Sequence, residues 1–173
     1  MLRKRWRKSL GKLMICSSVL DFIEKESARA LRTETGGVLA GKGDVMSGAH
    51  ITNASKPGPK SRRTMFSFKR DTQYCQKFLD EIAIKSQGQI DYLGEWHKHH
   101  EESPMPSWRD ITTSTNIAMS SDYHVHRCLL LIIGSSNRRA SLRAFVVDRD
   151  GIVAEIPWDV CTDDGPSNKP PVS

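Results

Sequence analysis

The chain has 173 residues, 38% apolar and 27% charged, which suits one domain with a packed core and leaves no apolar run long enough to cross a bilayer. Its formal net charge of +6 would suit a nucleic-acid binder, but the excess sits in one place. Residues 1–12 carry Arg3, Lys4, Arg5, Arg7, Lys8 and Lys12 with no acid, so the body that follows is neutral.

Residues 1–11 read as a basic arm. It can attract anions, and Trp6 can stack on a base, but a short charged terminus is more often simply solvated. The apolar piece from Leu13 to Leu20 is short, lacks a small-residue cleavage site and runs into Asp21 and Glu24, so no signal peptide is expected. Residues 12–17 predict a first strand. Residues 20–31 have helical spacing, with Leu20, Ile23 and Ala30 or Leu31 on one face. Residues 36–42, marked by close glycines, and 46–54 predict two more strands. Residues 56–63, Lys-Pro-Gly-Pro-Lys-Ser-Arg-Arg, predict a loop. A helix follows over 71–85, because Tyr74, Phe78 and Ile82 recur every four residues behind Asp71 as N-cap. Residues 90–97 predict a strand, 100–106 a loop with two prolines, and 107–119 a helix. The apolar run at 127–134 predicts a buried strand, and 142–147 and 152–156 a hairpin. The expected fold class is α/β of the α+β type: one domain over 12–160, with a mixed, mostly antiparallel sheet and about three helices. Residues 161–173, rich in proline, read as a disordered tail. Cys16, Cys75, Cys128 and Cys161 form no CxxC pair and read as reduced structural thiols of a cytoplasmic protein.

Chemistry concentrates between Glu95 and Asp110, in Glu-Trp-His97-Lys-His99-His-Glu-Glu-Ser-Pro-Met-Pro-Ser107-Trp-Arg-Asp110. His97 and His99 are two apart at a strand end, so both imidazoles share one face. Two imidazoles completed by a carboxylate make a three-ligand catalytic zinc site with a fourth position for water. Asp110 can supply the carboxylate, because the proline-bearing loop lets the chain turn back. Glu101 and Glu102 are rival carboxylates with less freedom to close a tetrahedron, and His100 alternates to the other face. A His-x-His pair alone is usually surface, and Ser107-x-x-Asp110 is also a helix start. Glu34 enters the glycine-marked strand Thr-Gly-Gly37-Val-Leu39-Ala-Gly41 and could reach a metal on a neighbouring strand, although such a residue is most often a surface charge. Asp122-Tyr-His124-Val-His126 also alternates, but reads as polar residues at a strand entrance.

Together the segments fit H-x-H-x7-S-x2-D downstream and E-x-x-G-x-L-x-G upstream, which resembles the JAMM motif of the MPN-type (JAB-domain) metallopeptidases. Trp96 and Pro106 add to the likeness, which covers about residues 12–156; His100 departs from it, where many members carry proline. The resemblance implies that His97, His99 and Asp110 bind one zinc ion per chain, that Glu34 acts as general base and then acid, and that Ser107 donates to the oxyanion. It implies a protease removing a ubiquitin-like modifier from a conjugated protein. Residues 57–71 are similar to the subgroup that includes the deconjugating peptidase of CBASS antiphage operons, whose conjugated partner is a cGAS-like nucleotidyltransferase. The modifier tail would add as a strand to a sheet edge, and Lys56, Lys60, Arg62, Arg63, Lys69 and Arg70 could meet an acidic partner. The alternatives are trimming of a ubiquitin-like or sulfur-carrier precursor, a non-enzymatic MPN scaffold, and a nucleic-acid-binding module. No membrane partner is expected.

Overall fold

The structure is a computed structural model that describes residues 10–102, 104–135 and 141–163. Its elements run β1 (Leu13–Cys16), α1 (Ser17–Arg29), β2 (Thr35–Asp44), β3 (Gly48–Ala54), β4 (Arg62–Arg63), β5 (Phe68–Lys69), α2 (Thr72–Lys85), β6 (Asp91–Lys98), α3 (Trp108–Met119), β7 (Arg127–Ile133), β8 (Leu142–Asp148), β9 (Val153–Glu155) and β10 (Trp158–Cys161). Eight strands form one sheet in the order β10-β1-β3-β2-β6-β7-β8-β9. Four neighbouring pairs are antiparallel, while β1–β10, β1–β3 and β6–β7 are parallel. This is the mixed α+β sheet with three helices that the sequence predicts.

The apolar run in β7 shows how the sheet is buried. Leu129, Leu131 and Ile133 join Val19, Leu20 and Ile23 of α1 in one cluster, and Leu130 and Ile132 join Phe145 on the opposite face, where α3 packs against β7 and β8. A strand covered on both faces needs no polar alternation. Burying such side chains contributes about 25 cal/mol per Å² of apolar surface removed from water. Helix α2 starts where Asp71 caps it: one carboxylate oxygen accepts from the Tyr74 amide at 3.2 Å and the other from the Lys60 amide at 3.1 Å.

The structure departs from the expected elements in three places. Helix α1 begins at Ser17 and ends at Arg29, leaving Leu31 beyond it and 82% exposed. Its match to the helical spacing was incidental. The loop expected at 56–63 ends in β4, which pairs with β5 as a small hairpin; two-residue strands carry no periodic signature. β10 follows the hairpin and lies parallel to β1, running through Cys161, which the sequence places in the tail. Residues 164–173 of that tail and residues 1–9 of the basic arm lie outside the described residues. No described helix is long and apolar enough to cross a membrane.

Candidate active site

The site forms where β6 ends beside the start of α3. Trp96 points into the α1-side cluster, fully buried, and donates from Nε1 to the Ser55 carbonyl at 3.0 Å. That anchor fixes the strand's facing, so Glu95 and His97 fall on the other side. β6 is continued by one more bond to β7, from the His99 amide to the Ile133 carbonyl at 2.9 Å. His99 therefore keeps the strand's direction and follows His97 onto the same face.

Asp110 arrives from α3. Ser107 caps that helix, accepting from the Asp110 amide at 3.2 Å, while Asp110 Oδ2 accepts from the Ser107 amide at 2.7 Å and from its hydroxyl at 2.6 Å. This reciprocal cap holds Asp110 in a single position. His97 Nδ1 lies 2.9 Å from Asp110 Oδ1, and His99 Nε2 lies 3.1 Å from Asp110 Oδ2. The structure thus brings His97, His99 and Asp110 together, with ligand atoms all within 4.8 Å of one another.

This donor set fits a zinc ion. Two imidazole nitrogens and a carboxylate oxygen are ligands zinc accepts, and lone pairs aimed at one another in a largely buried site call for a shared cation or proton. Outer partners hold the ligands: Glu95 Oε2 lies 3.4 Å from His97 Nε2, and Ser107 holds Asp110. Burial works against a charge on His97, but its bonds to Asp110 and Glu95 outweigh this and raise its pKa to about 9. Burial likewise pushes Asp110 up, and the bonds from His97, His99 and Ser107 more than reverse it, leaving Asp110 below the usual carboxylate range.

Glu34 stands across from these ligands. β2 pairs antiparallel with β6, Thr35 opposite Lys98 and Gly36 opposite His97, so Glu34 lies one step on, level with His99. It is half-buried, and burial raises its pKa against the lowering pull of His99 and His97. Gly36 makes the approach possible: a Cβ there would come within 2.3 Å of the Trp96 carbonyl oxygen and 2.9 Å of the His97 ring. All five expected site residues line one open cleft of about 1070 Å³. Of the rivals, His100, Glu101 and Glu102 are exposed and stay out of the ligand cluster. At the alternating segment 122–126, His124 turns into left-handed backbone (φ 51°) and His126 Nδ1 lies 2.9 Å from the Arg149 guanidinium.

Two participants escaped the sequence reading. Glu95 is 3% exposed and ion-paired with Arg70, whose side chain is also largely buried. Arg70 is therefore not free to meet an acidic partner, as its place in a basic stretch suggested. The available signal was Glu95 lying two residues before His97, on the same strand face. The β4–β5 hairpin also closes on the site, with the Phe68 ring edge-on to His97 at 5.5 Å.

Residues 17–147 match the family described as prokaryotic homologs of the JAB domain. The chain is 31% identical over 127 residues to a "CD-NTase/cGAS isopeptidase" of Enterobacter hormaechei subsp. hoffmannii (strain UCI 50), covering 73% of this chain and 69% of that one. It is 40% identical over 81 residues to a protein of the same name from Escherichia coli (strain TW11681), a match spanning 46% of this chain and only half of that relative. The fold is shared with protein DSY2949 of Desulfitobacterium hafniense, at a TM-score of 0.61 and 17% identity over 87% of this chain and 93% of that one. It is also shared with AF2198, a JAB1/MPN domain protein of Archaeoglobus fulgidus, at a TM-score of 0.50 and 15% identity over 87% and 98%.

Proposed function

The chain belongs to the prokaryotic JAB-domain family, and from that membership we propose that it is a zinc-dependent isopeptidase that releases a protein from a ubiquitin-like modifier. The observation that carries the reading is the convergence of His97, His99 and Asp110, with Glu34 facing them across one open cleft. His97, His99 and Asp110 would hold the ion. When bound, zinc supplies Lewis-acid polarisation that makes a water acidic near neutral pH.

The remaining work falls to the chain's own side chains. Glu34, half-buried and with its proton affinity raised, takes a proton as water oxygen bonds to the scissile carbonyl carbon. It delivers that proton to the amine nitrogen as the C–N bond breaks, leaving a free amine and a carboxylic acid that ionises to solvent. Ser107 donates to the developing oxyanion. In the structure its hydroxyl proton points to Asp110, so the bond must be redirected as substrate enters. Among the described residues the main sheet's edges are β9 and β10, each several strands from β6, so the main sheet offers a modifier tail no edge beside the site. The β4–β5 hairpin offers the nearer edge, with Phe68 and Lys69 lining the cleft. Exposed Met65, Phe66, Met105 and Trp108 give the tail an apolar rim.

The names of two relatives support a choice of substrate. We take the conjugated protein to be a CD-NTase (cGAS-like) nucleotidyltransferase, and the setting to be antiphage defence. The test is cleavage of such a conjugate by wild type and by Glu34→Ala. Wild type is expected to release both partners, and Glu34→Ala to keep its metal while losing at least about a hundredfold in rate. Retained turnover in Glu34→Ala would remove its assigned role. Cleavage of a linear modifier fusion but not of the isopeptide conjugate would instead make the enzyme a precursor-processing peptidase.

A further inference from the structure

A second group of metal-ligating side chains lies at the far end of the sheet, outside the catalytic cleft. β10 pairs parallel with β1, with Cys161 opposite Cys16, and β3 pairs with β1 on its other side, with His50 opposite Met14. Side chains alternate along a strand, and Met14 and Cys16 are two apart. Cys16, Cys161 and His50 therefore share one face of three adjacent strands. His50 Nε2 lies 3.3 Å from Cys16 Sγ and 2.9 Å from Cys161 Sγ, and the two sulfurs are 3.9 Å apart. All three ligand atoms fall within 4.8 Å of one another.

We propose that Cys16, His50 and Cys161 bind a second, structural zinc ion that clasps β10 to β1 and β3, with Asp163 as the fourth ligand. Zinc bonds of about 2.3 Å to sulfur and about 2.0 Å to nitrogen set tetrahedral edges of about 3.8 Å between sulfurs and about 3.5 Å between sulfur and nitrogen. The sulfur pair and the Cys16–His50 pair already match these edges. The Cys161–His50 pair needs to open by about half an ångström, which an edge strand allows. Asp163 follows Cys161 by two residues. Its Oδ1 accepts from the Ser18 hydroxyl at 2.7 Å and the Ser18 amide at 3.2 Å, and its carboxylate interacts with the Cys16 thiol. A fourth oxygen donor is thus tethered beside the Cys16 sulfur and would turn in to complete the set.

A four-ligand site closed by protein is the structural kind. Its position explains what it would do: β10 is a four-residue edge strand held to the sheet by β1 alone. The proposal does not depend on the catalytic reading, since the two sites share no residue.

Metal content and cobalt(II) spectra separate them. Wild type should carry two zinc ions per chain, while His97→Ala and Cys161→Ser should carry one each and the double variant none. Only the proposed site has sulfur ligands. Cobalt(II)-loaded wild type and His97→Ala should therefore show a sulfur-to-cobalt charge-transfer band that Cys161→Ser lacks. Cys161→Ser should keep the wild-type cleavage rate at 25 °C and unfold at a lower temperature. Absence of the band in cobalt-loaded His97→Ala, which leaves every proposed ligand intact, would overturn the proposal. A Cys16–Cys161 disulfide in the metal-replete protein, seen by mass spectrometry, would overturn it too. Failure of the catalytic site would look different: His97→Ala would then hold as much metal as wild type.

Discussion

At the residue scale, the site depends on side chains with two duties. Ser107 caps α3 and also faces the cleft. Ser107→Ala should lower stability by about 1 kcal/mol through the lost cap, and the cleavage rate by about a hundredfold or more through the lost oxyanion donor. Thermal melts and initial rates measure these separately. A rate loss no larger than the stability loss implies would leave Ser107 as a cap alone. Arg70 and Glu95 are coupled differently. Arg70→Ala leaves the Glu95 carboxylate buried without its cation, and unpairing a buried ion of this kind costs roughly 3–5 kcal/mol. Because Glu95 also touches His97, Arg70→Ala should weaken zinc retention in competition with a chelator, whereas substitution of the exposed Lys77 should not. Equal retention would confine Arg70 to a structural role.

At the element scale, the two helices that border the cleft each start on a side-chain capping signal. The N-cap of α2 is one such signal, and Asp71 serves there twice, holding the Tyr74 amide and the Lys60 amide of the preceding loop. Asp71→Ala should therefore cost more than an ordinary cap, about 2 kcal/mol in urea unfolding; Asp71→Asn, which keeps an acceptor, should recover part of it. A cost below about 0.5 kcal/mol would show the loop bond to be idle. Caps of this sort were legible: Asp71 precedes an apolar repeat of four, and Ser107-x-x-Asp110 follows a proline as a helix start. The β4–β5 hairpin and β10 were not. Both are short, and both exist because a partner strand or the cleft wall receives them.

At the scale of the whole molecule, burial decides which apolar residues matter. Leu131 is 1% exposed in the central sheet and Leu31 is 82% exposed. Leu131→Ala should cost about 2–5 kcal/mol and Leu31→Ala close to nothing, by the same denaturant titration; similar values would contradict the placement of the core. The sequence by itself determined the pattern that makes the chemistry possible. His97 and His99 two apart on a strand, Ser107 and Asp110 three apart at a helix start, and the apolar run of β7 follow from backbone periods of 2.0 and 3.6, which are local. Only the tertiary structure decided that Glu34 stands level with His99, because that rests on the register between β2 and β6. It alone paired Arg70 with Glu95, and it alone carried Cys161 back to Cys16 and His50, across more than a hundred residues of chain. Contacts of that kind depend on which strand edges meet, and strand pairing is set by the packing of the whole core rather than by any short stretch of sequence.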